Sequence, residues 1–165
     1  GAYGGEICNV IQSCLVFDMI SGRLFILDNN DCKFAYRHSV FMANKNLIVL
    51  FATFKLKKGK PDEIKAKIDE YKGKRVASQP LEYPSAGSTF KRPEGYFAGK
   101  LIQDAELRGY RVGGAQVSEK HCGFIVNTGS ASANNIYELI QLCKKTVFEK
   151  QKVKLEPEIK FLGEF

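Results

Sequence analysis

Apolar residues in the first third of the chain come in short, β-branched runs separated by turn formers, a spacing that predicts strands. The runs are Leu15-Val16-Phe17, Leu24-Phe25-Ile26-Leu27 and Leu47-Ile48-Val49-Leu50-Phe51-Ala52. Ile20-Ser21-Gly22-Arg23 is a hairpin candidate, and Asp28-Asn29-Asn30-Asp31 is a second turn or a helix entry. A small antiparallel sheet is the expected product. Within residues 34–41, Phe34, Tyr36 and His38 alternate with Ala35, Arg37 and Ser39, so a strand there would point Arg37 to the face opposite Tyr36.

The period then changes. Residues 61–71 predict a helix with proline at its start, Asp62 and Glu63 in the first turn, and Ile64, Ile68 and Tyr71 on one face. Residues 73–84 contain two prolines and read as a linker. Leu101, Ile102 and Ala105 fall at helical spacing in residues 98–108, with Gly109 placed to stop that helix. Residues 110–117, interrupted by Gly113-Gly114, and 123–127 predict strands. Ser132 caps a helix whose inner face is Ile136, Leu139, Ile140, Cys143 and Val147. A last strand is expected over residues 153–162, with Glu156 and Glu158 on one face if the alternation survives Pro157.

Between the halves lies Ser85-Ala86-Gly87-Ser88-Thr89-Phe90-Lys91-Arg92-Pro93, which reads as a reactive loop. Gly87 opens backbone conformations closed to other residues, so the Ser88 hydroxyl can be presented. Lys91 and Arg92 set two cations beside it, and Pro84 and Pro93 stiffen the ends. Taken alone, the stretch reads sooner as a polar surface turn.

The 165 residues suffice for one large or two small domains, with 44% hydrophobic and 26% charged residues and no tryptophan. No apolar run approaches the ~20 residues that span a bilayer, and no signal-peptide pattern opens the chain, which points to a cytoplasmic protein. The net charge of +7 calls for an anionic partner, nucleic acid or a phosphorylated small molecule. No RNP-like aromatic box, zinc finger or helix-turn-helix supports nucleic acid. Cys8, Cys14, Cys32, Cys122 and Cys143 lie in apolar surroundings without a Cys-x-x-Cys pair, so they read as reduced core residues. His38 and His121 lack metal-ligand spacing and read as structural; no metal is expected. The start at Gly1-Ala2-Tyr3-Gly4-Gly5, without methionine, reads as a chain cut from something longer.

The ordered motifs carry a resemblance that no single one would. Gly1-Ala2-Tyr3-Gly4-Gly5-Glu6, Tyr36-Arg37-His38-Ser39, Gln79-Pro80-Leu81-Glu82, the 85–93 stretch and Ala98-Gly99-Lys100-Leu101-Ile102 come first. Gly113-Gly114-Ala115, Ser118-Glu119-Lys120-His121, Gly123-Phe124-Ile125-Val126-Asn127 and Leu155-Glu156-Pro157-Glu158 follow. The set resembles the carboxy-terminal portion of UDP-N-acetylenolpyruvoylglucosamine reductases, the MurB flavoenzymes of peptidoglycan synthesis, in the subtype lacking an extra tyrosine-bearing loop.

The resemblance implies an α+β fold. Residues 1–84 would be the later part of an FAD-binding antiparallel sheet domain plus a linker helix, and residues 85–165 a small substrate-binding domain. It implies FAD, with NADPH as reductant, and a UDP-sugar substrate whose enolpyruvyl double bond receives a hydride and then a proton. Ser88 would donate that proton, Arg37 would hold the substrate carboxylate, and Glu158, if protonated, would donate to the enediolate. Gly1, Ala2, Tyr3, Gly4 and Tyr36 would lie against the flavin. Arg75, Lys91, Arg92 and Lys100 would contact the diphosphate and sugar. Most pyrophosphate-binding loops of the family precede this stretch, so this chain alone is expected neither to retain FAD nor to turn over. An exposed sheet edge would leave homodimerisation open. Composition and charge by themselves also fit a non-catalytic nucleotide-sugar or nucleic-acid binding module.

Overall fold

A computed structural model describes residues 4–164, in two compact units, Gly1–Ile68 and Asp69–Phe165. In the first unit, β1 (Ile11–Asp18) is the central strand of an antiparallel sheet with β2 (Arg23–Asp28) on one side and β3 (Leu47–Phe54) on the other. The expected hairpin joins β1 to β2. Asp18 accepts from Ile20 N at 3.0 Å and Ser21 Oγ at 2.7 Å, while Gly22 takes φ +67° and donates to Asp18 O. These bonds favour the charged carboxylate and hold Asp18 below its ordinary pKa, with the Ser21 hydroxyl the larger cause.

Register sorts this sheet's apolar residues onto two faces. Cys14 and Val16 are buried with Ile11 and Cys32, against partly buried Phe25, Leu27, Phe34, Phe41 and Leu47. Leu15 pairs with Ile26 and Phe51, and Phe17 with Leu24 and Ile48, so these six share the opposite face. There Leu24, Ile26, Ile48 and Phe51 are exposed. The sheet thus has a core on one side and a largely open apolar surface on the other.

The stretch expected as a strand over 34–41 is instead a tight turn leading into α1 (Val40–Ala43). Ala35 and His38 exchange both backbone hydrogen bonds at 3.0 Å, and Arg37 between them has φ +52°. A left-handed residue reverses the chain, which overrides the side-chain alternation.

Helix α2 (Pro61–Ser78) begins at the predicted proline but continues seven residues past the expected end, into the first half of the expected linker. Gly73 does not stop it, because an exposed helical glycine costs only about 1 kcal/mol relative to alanine. The chain turns at Pro80 instead, where Tyr83 N donates to Pro80 O. No α2 residue is buried, and Ile64 and Ile68 of the predicted inner face are exposed. The division between the units falls inside α2.

The second unit packs α4 (Ala133–Gln151) against an antiparallel sheet of order β4-β7-β6-β5. Its strands are β4 (Ser85–Ser88), β5 (Arg111–Val112), β6 (Ala115–Val117) and β7 (Phe124–Asn127). Ser132 caps α4 as predicted. Its Oγ accepts from Asn135 N and Asn135 Oδ1 accepts from Ser132 N, both at 3.1 Å. Leu139, Ile140, Cys143 and Val147 are buried on the predicted face, among Phe90, Leu101, Ile102, Val117 and Leu155. Of the five cysteines, Cys14, Cys32, Cys122 and Cys143 are core residues, whereas Cys8 is only half-buried.

Gly113-Gly114 does more than interrupt a strand: it turns β5 into β6. A Cβ on Gly114 would sit 2.3 Å from Ala131 N, so only glycine lets the two backbones meet there. Helix α3 (Ala98–Asp104) ends before Gly109, because Glu106 takes the left-handed conformation and Leu107 N donates back to Ile102 O. Lys150 from α4 secures this end, bonding Ala105 O at 3.0 Å and the Glu106 carboxylate at 2.7 Å. That pair holds Glu106 below its ordinary pKa.

No strand forms over residues 153–162. Pro157 forms an isolated antiparallel bridge with Phe90, through bonds made by Glu156 and Glu158 on either side of it, and the pairing extends no further.

Candidate active site

Ser88 sits where β4 gains a residue relative to β7. Along β7, Asn127 N donates to Pro84 O and Gly123 O accepts from Thr89 N, so five steps on the β4 side face four on the other. The extra residue is a β-bulge, marked by the register shift between Ser85 and Ser88 and by Gly87 at φ +85°. The expected loop is therefore in part a strand, and the bulge presents the Ser88 side chain. Ser88 is exposed, and its Oγ lies 3.3 Å from Phe90 O.

The same residues hold the carboxy-terminal segment. Glu158 N donates to Thr89 O at 2.9 Å, and Lys91 N donates to Glu156 O at 2.8 Å, on either side of the Phe90–Pro157 pair. One accepting carbonyl and one donating amide, on either side of Pro157, make the segment a clamp two bonds long. It brings Ser88 and half-buried Glu158 into one neighbourhood, 70 residues apart in sequence.

Lys91, Arg92 and Lys100, three cations expected at the substrate, are already engaged. Lys91 Nζ lies 2.6 Å from the Glu156 carboxylate. Arg92 stacks on the Phe97 ring at 4.0 Å and donates from Nε to Tyr96 O at 3.3 Å. Lys100 pairs with Asp104 at 2.5 Å, one turn along α3. Arg75 is exposed in the last turns of α2.

His121 is wedged against two glycines. Its Nδ1 accepts from Gly123 N at 3.0 Å and its ring meets Phe124 edge-on at 5.0 Å. A Cβ on Gly99 or Gly123 would approach His121 Cε1 to 3.2 Å or 2.9 Å. Packing accounts for this histidine and for both neighbouring glycines.

Tyr36 and Arg37 belong to the first unit. The Arg37 guanidinium stands 5.3 Å from the centre of the exposed Tyr36 ring. They border a cavity of about 180 Å³ with Glu6, Cys8, Phe34 and His38. Gly4 is exposed at φ +81°. Gly1, Ala2 and Tyr3 lie outside the described residues. As a test of flavin fit, an exposed aromatic ring and a cation suit one edge of a ring system and an anionic group. The cavity is smaller than the ~300–1,000 Å³ of pockets that enclose a drug-sized ligand, so these residues fit part of an FAD molecule and not all of it.

Two residues passed over in the sequence stand out. Thr89, nine-tenths buried, accepts from Ile125 N through its hydroxyl at 3.1 Å. Gln116, 6% exposed, donates to Gly109 O at 3.1 Å and accepts from Arg111 at 3.3 Å. It helps line a second cavity of about 370 Å³ with Tyr83, Ser118, Glu119 and Lys120. A polar residue inside an apolar strand pattern was the available signal for Gln116; for Thr89 there was none.

Comparison with known proteins decides the family. The profile of "UDP-N-acetylenolpyruvoylglucosamine reductase, C-terminal domain" matches residues 79–162. The chain belongs to that family. It is 55% identical over 165 residues to a UDP-N-acetylenolpyruvoylglucosamine reductase of Agathobacter rectalis, covering 100% of this chain and 52% of the relative. The reductase of Clostridioides difficile strain 630 is 51% identical over 164 residues, covering 99% of this chain and 53% of that protein. The crystal structure of the Thermus caldophilus reductase, MurB, superposes with TM-score 0.82 at 32% identity, over 97% of this chain and 56% of that one. The chain spans about half the length of the curated relatives it matches. The family assignment agrees with the ordered motifs, and the mixed α/β fold with antiparallel sheets agrees with the expected class.

Proposed function

We propose that this chain carries the substrate-binding and proton-donating part of an FAD- and NADPH-dependent reductase. Its reaction would convert the enolpyruvyl group of UDP-N-acetylglucosamine enolpyruvate to UDP-N-acetylmuramate, in cytoplasmic peptidoglycan synthesis. The observation that carries this proposal is the clamp: the bulge presents Ser88, and the bond from Glu158 N to Thr89 O ties the second candidate group to the same strand. Family membership and the UDP-sugar reductase names of the relatives support it.

In this proposal residues 1–84 complete a flavin domain, with Tyr3, Tyr36 and the backbone of Gly1, Ala2 and Gly4 against the cofactor. Residues 85–165 form the substrate domain. FAD, if bound and reduced by NADPH, would supply a hydride for one carbon of the double bond. Negative charge then develops on the adjacent carbon and its carboxylate. Arg37 offers that carboxylate two parallel hydrogen bonds and a permanent charge. Glu158, in its protonated form, donates to the developing enediolate, a stabilisation strongest where water is excluded. Ser88 Oγ delivers its proton to the carbon. A hydroxyl is a weak acid in water, so it can serve only against a strongly basic carbanion.

Arg75, Arg92 and Lys100 would meet the diphosphate and sugar. Lys91 would reach them only by sharing its charge with Glu156, which makes its ion pair part of the binding surface. The bulk of the FAD contacts is assigned to the half of the relatives that this chain does not span.

The test is Ser88→Ala in a polypeptide that joins this chain to a flavin-binding half. NADPH should still reduce the flavin at its normal rate. Reoxidation by the enolpyruvyl substrate should slow by on the order of 100-fold or more, the usual weight of a positioned proton donor. Unchanged reoxidation would remove Ser88 from this role. UDP binding with no reoxidation in the unsubstituted protein would favour a binding module instead.

A further inference from the structure

Beside the β4 bulge a side chain reinforces the main-chain ladder. On β7, Phe124 O accepts from Ser118 N, on the β6 side, whereas Gly123 and Asn127 bond to Thr89 and Pro84, on the β4 side. Alternation along the strand turns Ile125 toward β4 as well. Its N–H faces the β4 main chain across the Ser88–Phe124 bridge. It also donates to Thr89 Oγ1 at 3.1 Å, a buried bond between residues 36 apart. Thr89 is 3% exposed, Ile125 6%. Loss of that acceptor would weaken the pairing of β7 with β4 beside the bulge, where both residues are buried.

Thr89 makes three long-range bonds at once. Its N–H donates to Gly123 O at 2.8 Å, its carbonyl accepts from Glu158 N at 2.9 Å, and its hydroxyl accepts from Ile125 N. We propose that Thr89 is a positioning residue: its hydroxyl stabilises the Gly87 bulge, and so fixes Ser88 and Glu158 relative to each other. Thr89 does not itself touch the reacting atoms. The inference rests on the proposed roles of Ser88 and Glu158 for its functional consequence, but its structural half stands without them.

Three substitutions separate hydroxyl from bulk. Thr89→Val keeps the shape and removes the acceptor; Thr89→Ser keeps the acceptor and removes the methyl; Thr89→Ala removes both. In the 165-residue chain, hydrogen exchange of the Ile125 and Glu158 amides should accelerate by roughly 10- to 100-fold in Thr89→Val and return close to the original rate in Thr89→Ser. In a polypeptide joined to a flavin-binding half, Thr89→Val should slow substrate-driven flavin reoxidation by a similar factor. Reduction by NADPH should stay unchanged, and Thr89→Ser should recover most of the loss. If Thr89→Val does not fold, the Ser and Ala variants carry the same comparison, since they differ only in the hydroxyl.

Equal exchange at Ile125 with and without the hydroxyl would overturn the positioning role. So would normal reoxidation in Thr89→Val when Ser88→Ala abolishes it. Failure of the proposed function looks different: Ser88→Ala would leave reoxidation untouched, while the Thr89 variants would still alter amide exchange.

Discussion

Buried thiols give the fold a pH dependence that can be worked out residue by residue. Burial pushes the Cys143 thiol up to about 12, with nearby Cys122 a smaller cause, and pushes Cys32 up to about 11, with Cys14 next in weight. A thiol whose folded pKa is raised stays protonated while the unfolded chain begins to ionise, near its ordinary value of 9.0. Stability from this source is fully present below pH ~8.5, falls as pH rises from about 9, and is lost through pH 11 to 12, at up to ~1.4 kcal/mol per pH unit for each thiol. Urea unfolding followed through amide protection of residues 139–147 should therefore show a midpoint that drops between pH 8 and pH 10.5. Cys143→Ala should lower stability at both pH values, because it opens a cavity, yet flatten the slope. A slope identical to that of the parent would refute the assignment to Cys143.

Helix α2 has good helix formers but buries none of its residues, so its stability rests largely on propensity, on surface pairs such as Lys60–Glu63 at 3.0 Å and Lys74–Glu70, and on the bond from Lys120 Nζ to Val76 O at 2.7 Å. Such pairs contribute only a few tenths of a kcal/mol each. Amides in α2 should exchange with solvent far faster than those of β1 or α4. Gly73→Ala, where a Cβ would meet nothing within 4 Å, should increase α2 protection by roughly 0.5–1 kcal/mol. Protection in α2 equal to that in α4, or no response to Gly73→Ala, would show that the helix is held by more than its propensity, its surface pairs and the Lys120 bond. The same scale shows what could be read from the chain. Strands β1 to β3, the Ser132 cap and the inner face of α4 were legible because their signals are local and periodic. The turn at Arg37, the Glu106 ending of α3 and the Phe90–Pro157 clamp were not, because each depends on one residue's backbone state or on a partner far along the chain. The site divides in the same way: a glycine before Ser88 announces a presented hydroxyl, but Thr89 becomes visible only once β4 lies beside β7 and its hydroxyl meets Ile125.

At the scale of the whole chain, the first unit's sheet carries an apolar face that the described residues leave open. Ile26 is 68% exposed and Phe51 71%, each beside Leu15 on the central strand. Contiguous apolar patches on soluble monomers are seldom larger than a few hundred Å² unless something binds them. β2 and β3 also sit at the two edges of the sheet, where unpaired backbone groups can recruit another strand. The 165-residue chain, prepared alone, is thus expected to self-associate as its concentration rises, with light scattering showing a mass that climbs from monomer toward dimer or beyond. Replacing Ile26 and Phe51 together by lysine should restore the monomer mass, since two charges on that face would have to be desolvated on contact. The fold should survive, because both side chains already face solvent. Joining the chain to a flavin-binding half tests what the face is for. If that half covers it, association should vanish without any substitution, and the lysine pair should then loosen the junction. Association that persists in the joined protein, or resists the lysine pair in the chain alone, would assign it to another surface.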